Sequence, residues 1–196
     1  MKTYRTGGTR KGLVAVLSAL MVLVGLGLLG YALFGGGSAA SAAREVLAPA
    51  PKAPAQTTLK LTVPEMKRVD EVPVYDGRGN DEAALRNGTL HVKGTGYPWQ
   101  RVANVYIAGH RLGFPGTKSH LVFWDLDKLE NGDEVILTDA NGTEYTYEVF
   151  KKSVVNPRDV HVMRPVAGKN IVSLQTCTLP DYEQRLIVQA ELKSVS

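Results

Sequence analysis

The runs Ile171-Val172-Ser173-Leu174-Gln175-Thr176-Cys177 and Arg185-Leu186-Ile187-Val188-Gln189-Ala190-Glu191-Leu192 decide the fold. Both are rich in aliphatic residues, and both alternate in polarity, as half-buried strands do. Side chains i and i+2 share a face of a strand. Val172 and Leu174 therefore point one way, and Ser173, Gln175 and Cys177 the other. In the second run Leu186, Val188, Ala190 and Leu192 form an apolar face, with Arg185, Gln189 and Glu191 opposite.

Outward from this pair the chain repeats the pattern. Leu59–Val63, Val72–Tyr75, Val102–Ala108, Glu134–Thr138 and Tyr145–Phe150 also read as short strands, punctuated by glycines. Asn141-Gly142 between two of them predicts a two-residue hairpin. Asn87-Gly88-Thr89 and Asn141-Gly142-Thr143 match a glycosylation sequon, but positive-φ turns explain both. Two short helical pieces are predicted, at Asp81–Arg86 and Phe123–Glu130. Many short strands within residues 59–196 point to an all-β domain, a closed barrel or a sandwich.

Upstream, Leu13 to Phe34 is a 22-residue stretch without a charge. A helix of roughly 20 apolar residues spans a bilayer. A cleaved signal peptide has an apolar region of only about 7–15 residues, so a retained transmembrane helix is the better reading. Lys2, Arg5, Arg10 and Lys11 precede it, and the positive-inside rule places residues 1–12 in the cytoplasm. The expected organisation is a basic segment (1–12), a single membrane span (13–34), a linker rich in Gly, Ala, Ser and Pro (35–58) and an extracellular domain (59–196).

The formal charge of +4 resides in that basic segment. Of 23 Lys and Arg, four lie there, which leaves 19 against 19 acidic residues. A neutral ectodomain has no footprint for a phosphate backbone, so nucleic acid is excluded as a partner.

Cys177 is the only cysteine, which rules out an intramolecular disulfide. Burial as a small apolar residue and catalysis are both open for a lone thiol. Its neighbours favour catalysis. In Asn104-Val105-Tyr106-Ile107-Ala108-Gly109-His110, Val105 and Ile107 form the apolar side, and His110 lies with Asn104 and Tyr106. Cys177, His110 and Arg185 thus all project from the face opposite the expected core. Alternation fixes facing and leaves strand order open. A thiolate is the nucleophile, and an imidazole can take the thiol proton and later protonate a leaving amine. A guanidinium offers fixed charge and forked donors to an oxyanion.

Ser173-Leu174-Gln175-Thr176-Cys177 resembles the TLxTC motif of sortases, with Ser in the first position. Asn104 to Arg111 resembles the family's NxxIAGHR segment, and Arg185 follows the Cys motif after a short loop, as the family's Arg does. Phe123, Leu126, Leu129, Gly132 and Asp133 match an F..L..L..GD pattern, and Leu61–Pro64 and Val72–Tyr75 match the family's first strands. The resemblance covers about residues 59–193. It implies an eight-stranded sortase-type β-barrel with a few short helices. It also implies Cys177 as nucleophile, His110 as acid/base and Arg185 as oxyanion stabiliser. The substrate would be a surface protein with a C-terminal LPxTG/LAxTG-like sorting motif, cleaved after Thr through a thioester. An amine from a cell-wall precursor or a pilin lysine would resolve it. The single anchor and the Thr176–Pro180 region look most like class E sortases.

No cofactor or metal is expected. Asp125, Asp127, Glu130, Asp133 and Glu134 lack Ca²⁺-loop spacing and read as a solvated face. His91, His120 and His161 show no metal spacing, and Trp99 and Trp124 read as packing residues. Two other functions stay open: a peptidoglycan L,D-transpeptidase, whose motif Thr176-Cys177-Thr178 does not fit, and a wall-associated binding module with an inert Cys177.

Overall fold

The computed structural model describes residues 51–196. The proposed membrane span, the basic segment and the linker up to residue 50 lie outside the described residues. Eight strands run β1 (Leu59–Thr62), β2 (Val72–Gly77), β3 (Thr89–Val92), β4 (Ala103–Ala108), β5 (Glu134–Asp139), β6 (Glu144–Val155), β7 (Asn170–Cys177) and β8 (Arg185–Val195). They close into a barrel in the order β1-β2-β3-β4-β7-β8-β6-β5. β2/β3 and β4/β7 pair in parallel, and the other neighbours are antiparallel. A parallel pair needs a crossover. Between β2 and β3 it carries the one α-helix among the described residues, α1 (Glu82–Asn87).

The alternation read from the sequence sets the barrel interior. Val105, Ile107, Val172, Leu174, Leu186, Val188 and Ala190 all belong to the main core, with Leu192 packed against it. Burial of each large aliphatic side chain contributes about 1.5–3 kcal/mol. Tyr145 and Tyr147 are also buried there, and their hydroxyls donate to Asp139 Oδ2 (3.2 Å) and Asn170 Oδ1 (3.1 Å). Those partners meet the requirement that a buried phenol be hydrogen-bonded.

Three expectations change in detail. The piece at Phe123–Glu130 contains only a 3₁₀ turn, Leu126–Lys128. Successive i→i+3 bonds run through it, and Phe123, Leu126 and Leu129 are all buried. A spacing of three suits the 3₁₀ period of three, where such residues eclipse. At Asn141-Gly142 the hairpin has three loop residues. Gly142 N donates to Asp139 O, and only Gly142 has positive φ (84°). The Asp139 carboxylate accepts from the N–H groups of Asn141 and Thr143 and so selects this longer loop. Gly88, by contrast, has φ 179°, which is extended backbone. Its reason is space, since a Cβ there would sit 2.3 Å from the Pro73 carbonyl oxygen.

His91 is fully buried in β3, and each ring nitrogen faces an oxygen. Nδ1 lies 2.6 Å from Asp76 Oδ1, and Nε2 lies 2.9 Å from Gly96 O and 3.0 Å from the Thr95 hydroxyl. Burial alone would raise the Asp76 carboxyl, but hydrogen bonds from His91, Thr57 and Tyr97 outweigh it and hold its pKa below the ordinary value. Trp99 stacks on Tyr97 beside this network, whereas Trp124 is partly exposed. Among the acidic residues, Asp125 pairs with Arg68 and Lys128, and Asp127 pairs with Arg111.

Candidate active site

Strand order supplies what alternation could not. β4, β7 and β8 are consecutive in the barrel wall. Cys177, the last residue of β7, lies directly across from Arg185, the first residue of β8. On the other side of β7, Ala108 is level with Gln175 in the parallel register. Gly109 N extends that ladder by donating to Gln175 O at 3.0 Å. His110 and Cys177 are each two residues beyond that last register pair. All three sequence-predicted residues therefore stand at one end of the same wall, and each is partly exposed.

The backbone around His110 is fixed by specific contacts. The Thr176 hydroxyl donates to Gly109 O (2.8 Å), and Phe123 N donates to His110 O (3.0 Å). Position 109 must be glycine for space, because a Cβ would lie 2.6 Å from the Phe123 ring. The chain after His110 folds back through Gly113 N to His120 O (2.7 Å). The Phe114 ring meets the imidazole edge-on, with centroids 6.3 Å apart. Nε2 of His110 is buried without a hydrogen-bond partner and lies 3.7 Å from Glu82 Oε2.

Arg185 is held by the loop that joins β7 to β8. Its Nη1 donates to the carbonyls of Tyr182 and Gln184, each at 3.0 Å. That loop is closed by Thr178 N to Gln184 O (3.0 Å) and Tyr182 N to Thr178 O (3.1 Å). Two carbonyls on one edge of the guanidinium fix its direction at low entropic cost.

The polar face of the wall is partly covered. The segment between β6 and β7, with its 3₁₀ turn Val160–Met163, roofs part of it. Asn104 Nδ2 donates to the carbonyls of Val162 (2.9 Å) and Arg164 (3.1 Å). Ser173 donates to Asn104 Oδ1 (2.7 Å), and Gln189 Nε2 donates to Ser173 Oγ (3.1 Å). One buried chain of side chains thus links β4, β7, β8 and the roof. Nearer the site, the Tyr106 hydroxyl donates to Gln175 Oε1 (2.8 Å). Burial pushes the Tyr106 phenol far above its usual pKa, against the opposing charge of Arg185.

Ser173→Ala would leave Asn104 Oδ1 and Gln189 Nε2 without this partner in a buried site. We expect a loss of about 1–3 kcal/mol, read as a lower denaturant midpoint at unchanged m-value. Ser173→Thr keeps the hydroxyl and should lose less. Equal losses for the two variants would show that packing, not the hydrogen-bond chain, dominates at this position.

A β-barrel wall that ends in a partly exposed thiol, an imidazole and a loop-held guanidinium defines a protein equipped for acyl transfer through sulfur. A sortase-domain model matches residues 61–193, and the chain belongs to the sortase family. It is 33% identical over 126 residues to Sortase A of Streptococcus agalactiae serotype III (strain NEM316), covering 62% of this chain and 48% of that protein. It is 30% identical over 107 residues to Sortase D of Bacillus subtilis (strain 168), covering 55% of this chain and 48% of that protein. The chain thus spans about half the length of these two relatives. Among solved structures, a lid mutant of Sortase A from Corynebacterium diphtheriae matches with TM-score 0.62 and 26% identity, over 74% of each chain. Sortase C-1 from Actinomyces oris matches with TM-score 0.61 and 28% identity, over 69% of this chain and 73% of that one.

Proposed function

We propose that this chain is a membrane-anchored sortase, a cysteine transpeptidase that cleaves a C-terminal LPxTG/LAxTG-like sorting motif after Thr and transfers the protein to an amine. The observation that carries the reading is the convergence of Cys177, Arg185 and His110 at one end of the β4–β7–β8 wall. It occurs inside a family match that covers all three.

The chemistry follows from these groups. Cys177 Sγ gives its proton to His110 and attacks the threonyl carbonyl carbon. The carbonyl oxygen takes the negative charge, and the Arg185 guanidinium stabilises it. The C–N bond breaks, the leaving amine takes the proton from His110, and a thioester remains on Cys177. An incoming amine then attacks the thioester carbonyl and gives a proton to His110. The C–S bond breaks, and the thiol is restored with that proton. Every step uses groups within the chain and its two substrates.

The acceptor amine is a cell-wall precursor or a pilin lysine, and the donor is a surface protein with a sorting signal. The segment 13–34 anchors the chain once in the cell membrane, with the N-terminus cytoplasmic and the barrel extracellular. The Thr176–Pro180 region and the single anchor support a class E assignment with an LAxTG-like preference.

The test gives the full chain, in detergent, LAxTG and LPxTG peptides with and without an amine. The expected result is release of the C-terminal fragment and joining of the amine to Thr, faster with LAxTG. Turnover of muropeptides but neither sorting peptide would transfer the assignment to an L,D-transpeptidase.

A further inference from the structure

The His110 ring has a neighbour that the Cys–His–Arg trio does not account for. Glu82 Oε2 approaches His110 Nε2 at 3.7 Å, and that nitrogen is buried with no hydrogen-bond partner. A buried ring nitrogen needs a compensating group, and a carboxylate favours the protonated imidazole. Glu82 sits in the first turn of α1, and α1 is locked to the loop that follows His110. Asp81 caps the helix through its carboxylate to Ala84 N (3.1 Å). Leu85 packs with Leu90 and Ala108. The Ser119 hydroxyl, from the His110 loop, donates to the Leu85 carbonyl. The Arg86 guanidinium carbon lies 4.3 Å from the centre of the Phe114 ring, whose own partner is His110. Gly113 closes the cage, since a Cβ there would come within 3.0 Å of the imidazole.

We infer that Glu82 is a positioning residue for His110: its carboxylate holds Nε2 and stabilises the imidazolium, leaving Nδ1 to exchange protons with Cys177 and the leaving amine. Glu82 itself neither gains nor loses a proton. The catalytic use of this arrangement rests on the sortase reading above. The other charged or titratable groups around the ring cannot substitute for Glu82. Arg86 from α1 is a cation and stacks on Phe114. Arg111, beside His110, points to Asp127 at 2.7 Å. Lys118 and His120 of the same loop and Arg185 of β8 bring no negative charge. Cys177 is the proton partner.

The test is ring NMR of the full chain in detergent with labelled histidine, which gives four sets of ring signals. It is run in a Cys177→Ala background so that the thiol does not perturb the ring. Glu82→Gln keeps size and removes the charge at a position that is 58% exposed, so the fold should tolerate it. The His110 Nε2 signal should move when the carboxylate is removed, while the other three histidines keep their signals. In the Cys177 enzyme, Glu82→Gln should lower kcat by roughly threefold, the scale of a solvent-screened pair. Glu82→Asp should recover part of both effects. An unchanged His110 ring signal overturns the inference, even if turnover falls. A wild-type chain that turns over no sorting peptide instead overturns the sortase reading and, with it, the catalytic use of the contact. The NMR readout does not depend on peptide.

Discussion

Cys177→Ala is expected to abolish peptide cleavage and thioester formation while leaving the barrel intact. Removal of a covalent nucleophile costs on the order of 10⁴–10⁶ in turnover, and this chain has no second thiol to take over. The fold should survive for local reasons. Cys177 is the last residue of β7, partly exposed, and its side chain lies outside the main core cluster. The contacts that fix the neighbouring chain come from Thr176 Oγ1 and from backbone groups, which the substitution leaves alone. The checks are fragment release by chromatography and a thermal melt beside the parent. Cys177→Ser is the companion variant, isosteric but a far poorer nucleophile, and it should show the same loss. Cleavage near the parental rate in either would put the nucleophile elsewhere.

Arg185→Ala is expected to lower kcat by roughly 10²–10³, about 2.7–4 kcal/mol of barrier, with little change in KM. The guanidinium would act mainly where charge develops on the threonyl oxygen. Loss of an interaction made only in the transition state lowers kcat and kcat/KM together. The residue also holds the Tyr182 and Gln184 carbonyls, so alanine loosens the β7–β8 loop as well. Arg185→Lys separates the two contributions. It keeps a charge but loses the fork, and it should recover only part of the rate. A raised KM at unchanged kcat would make Arg185 a substrate-binding residue, and loss of the folded state in both variants would make it structural.

Much of this arrangement was legible in the chain because a period of two is hard to counterfeit in strands with one dry face. Val105, Ile107, Val172, Leu174, Leu186, Val188 and Ala190 were assigned inward from alternation and are inward. The strand Thr89–Val92 was missed for the opposite reason. All four of its residues are buried, with Thr89 and His91 among them, so polarity along it says nothing about facing. His91 looked like an isolated histidine because its carboxylate partner, Asp76, lies 15 residues back on another strand.

The site shows the same division. Facing placed Cys177, His110 and Arg185 on one side of their strands. Only the closed strand order put β4, β7 and β8 side by side. Glu82 falls in the predicted helical piece Asp81–Arg86, and nothing in that stretch points to a histidine just beyond β4. The roof over Ser173 was equally invisible. Asn104 and Ser173 fall on the polar faces of their strands, and their polarity serves a buried hydrogen-bond chain.

Cys177 is expected to form a thioester with the threonyl end of a sorting peptide. The most direct measurement is mass spectrometry of the full chain after brief incubation with an LAxTG or LPxTG peptide and no amine. The expected result is an acyl adduct that maps to Cys177 and disappears when an amine is added, with the joined peptide appearing in its place. A folded chain whose Cys177 carries no adduct from either peptide would contradict it.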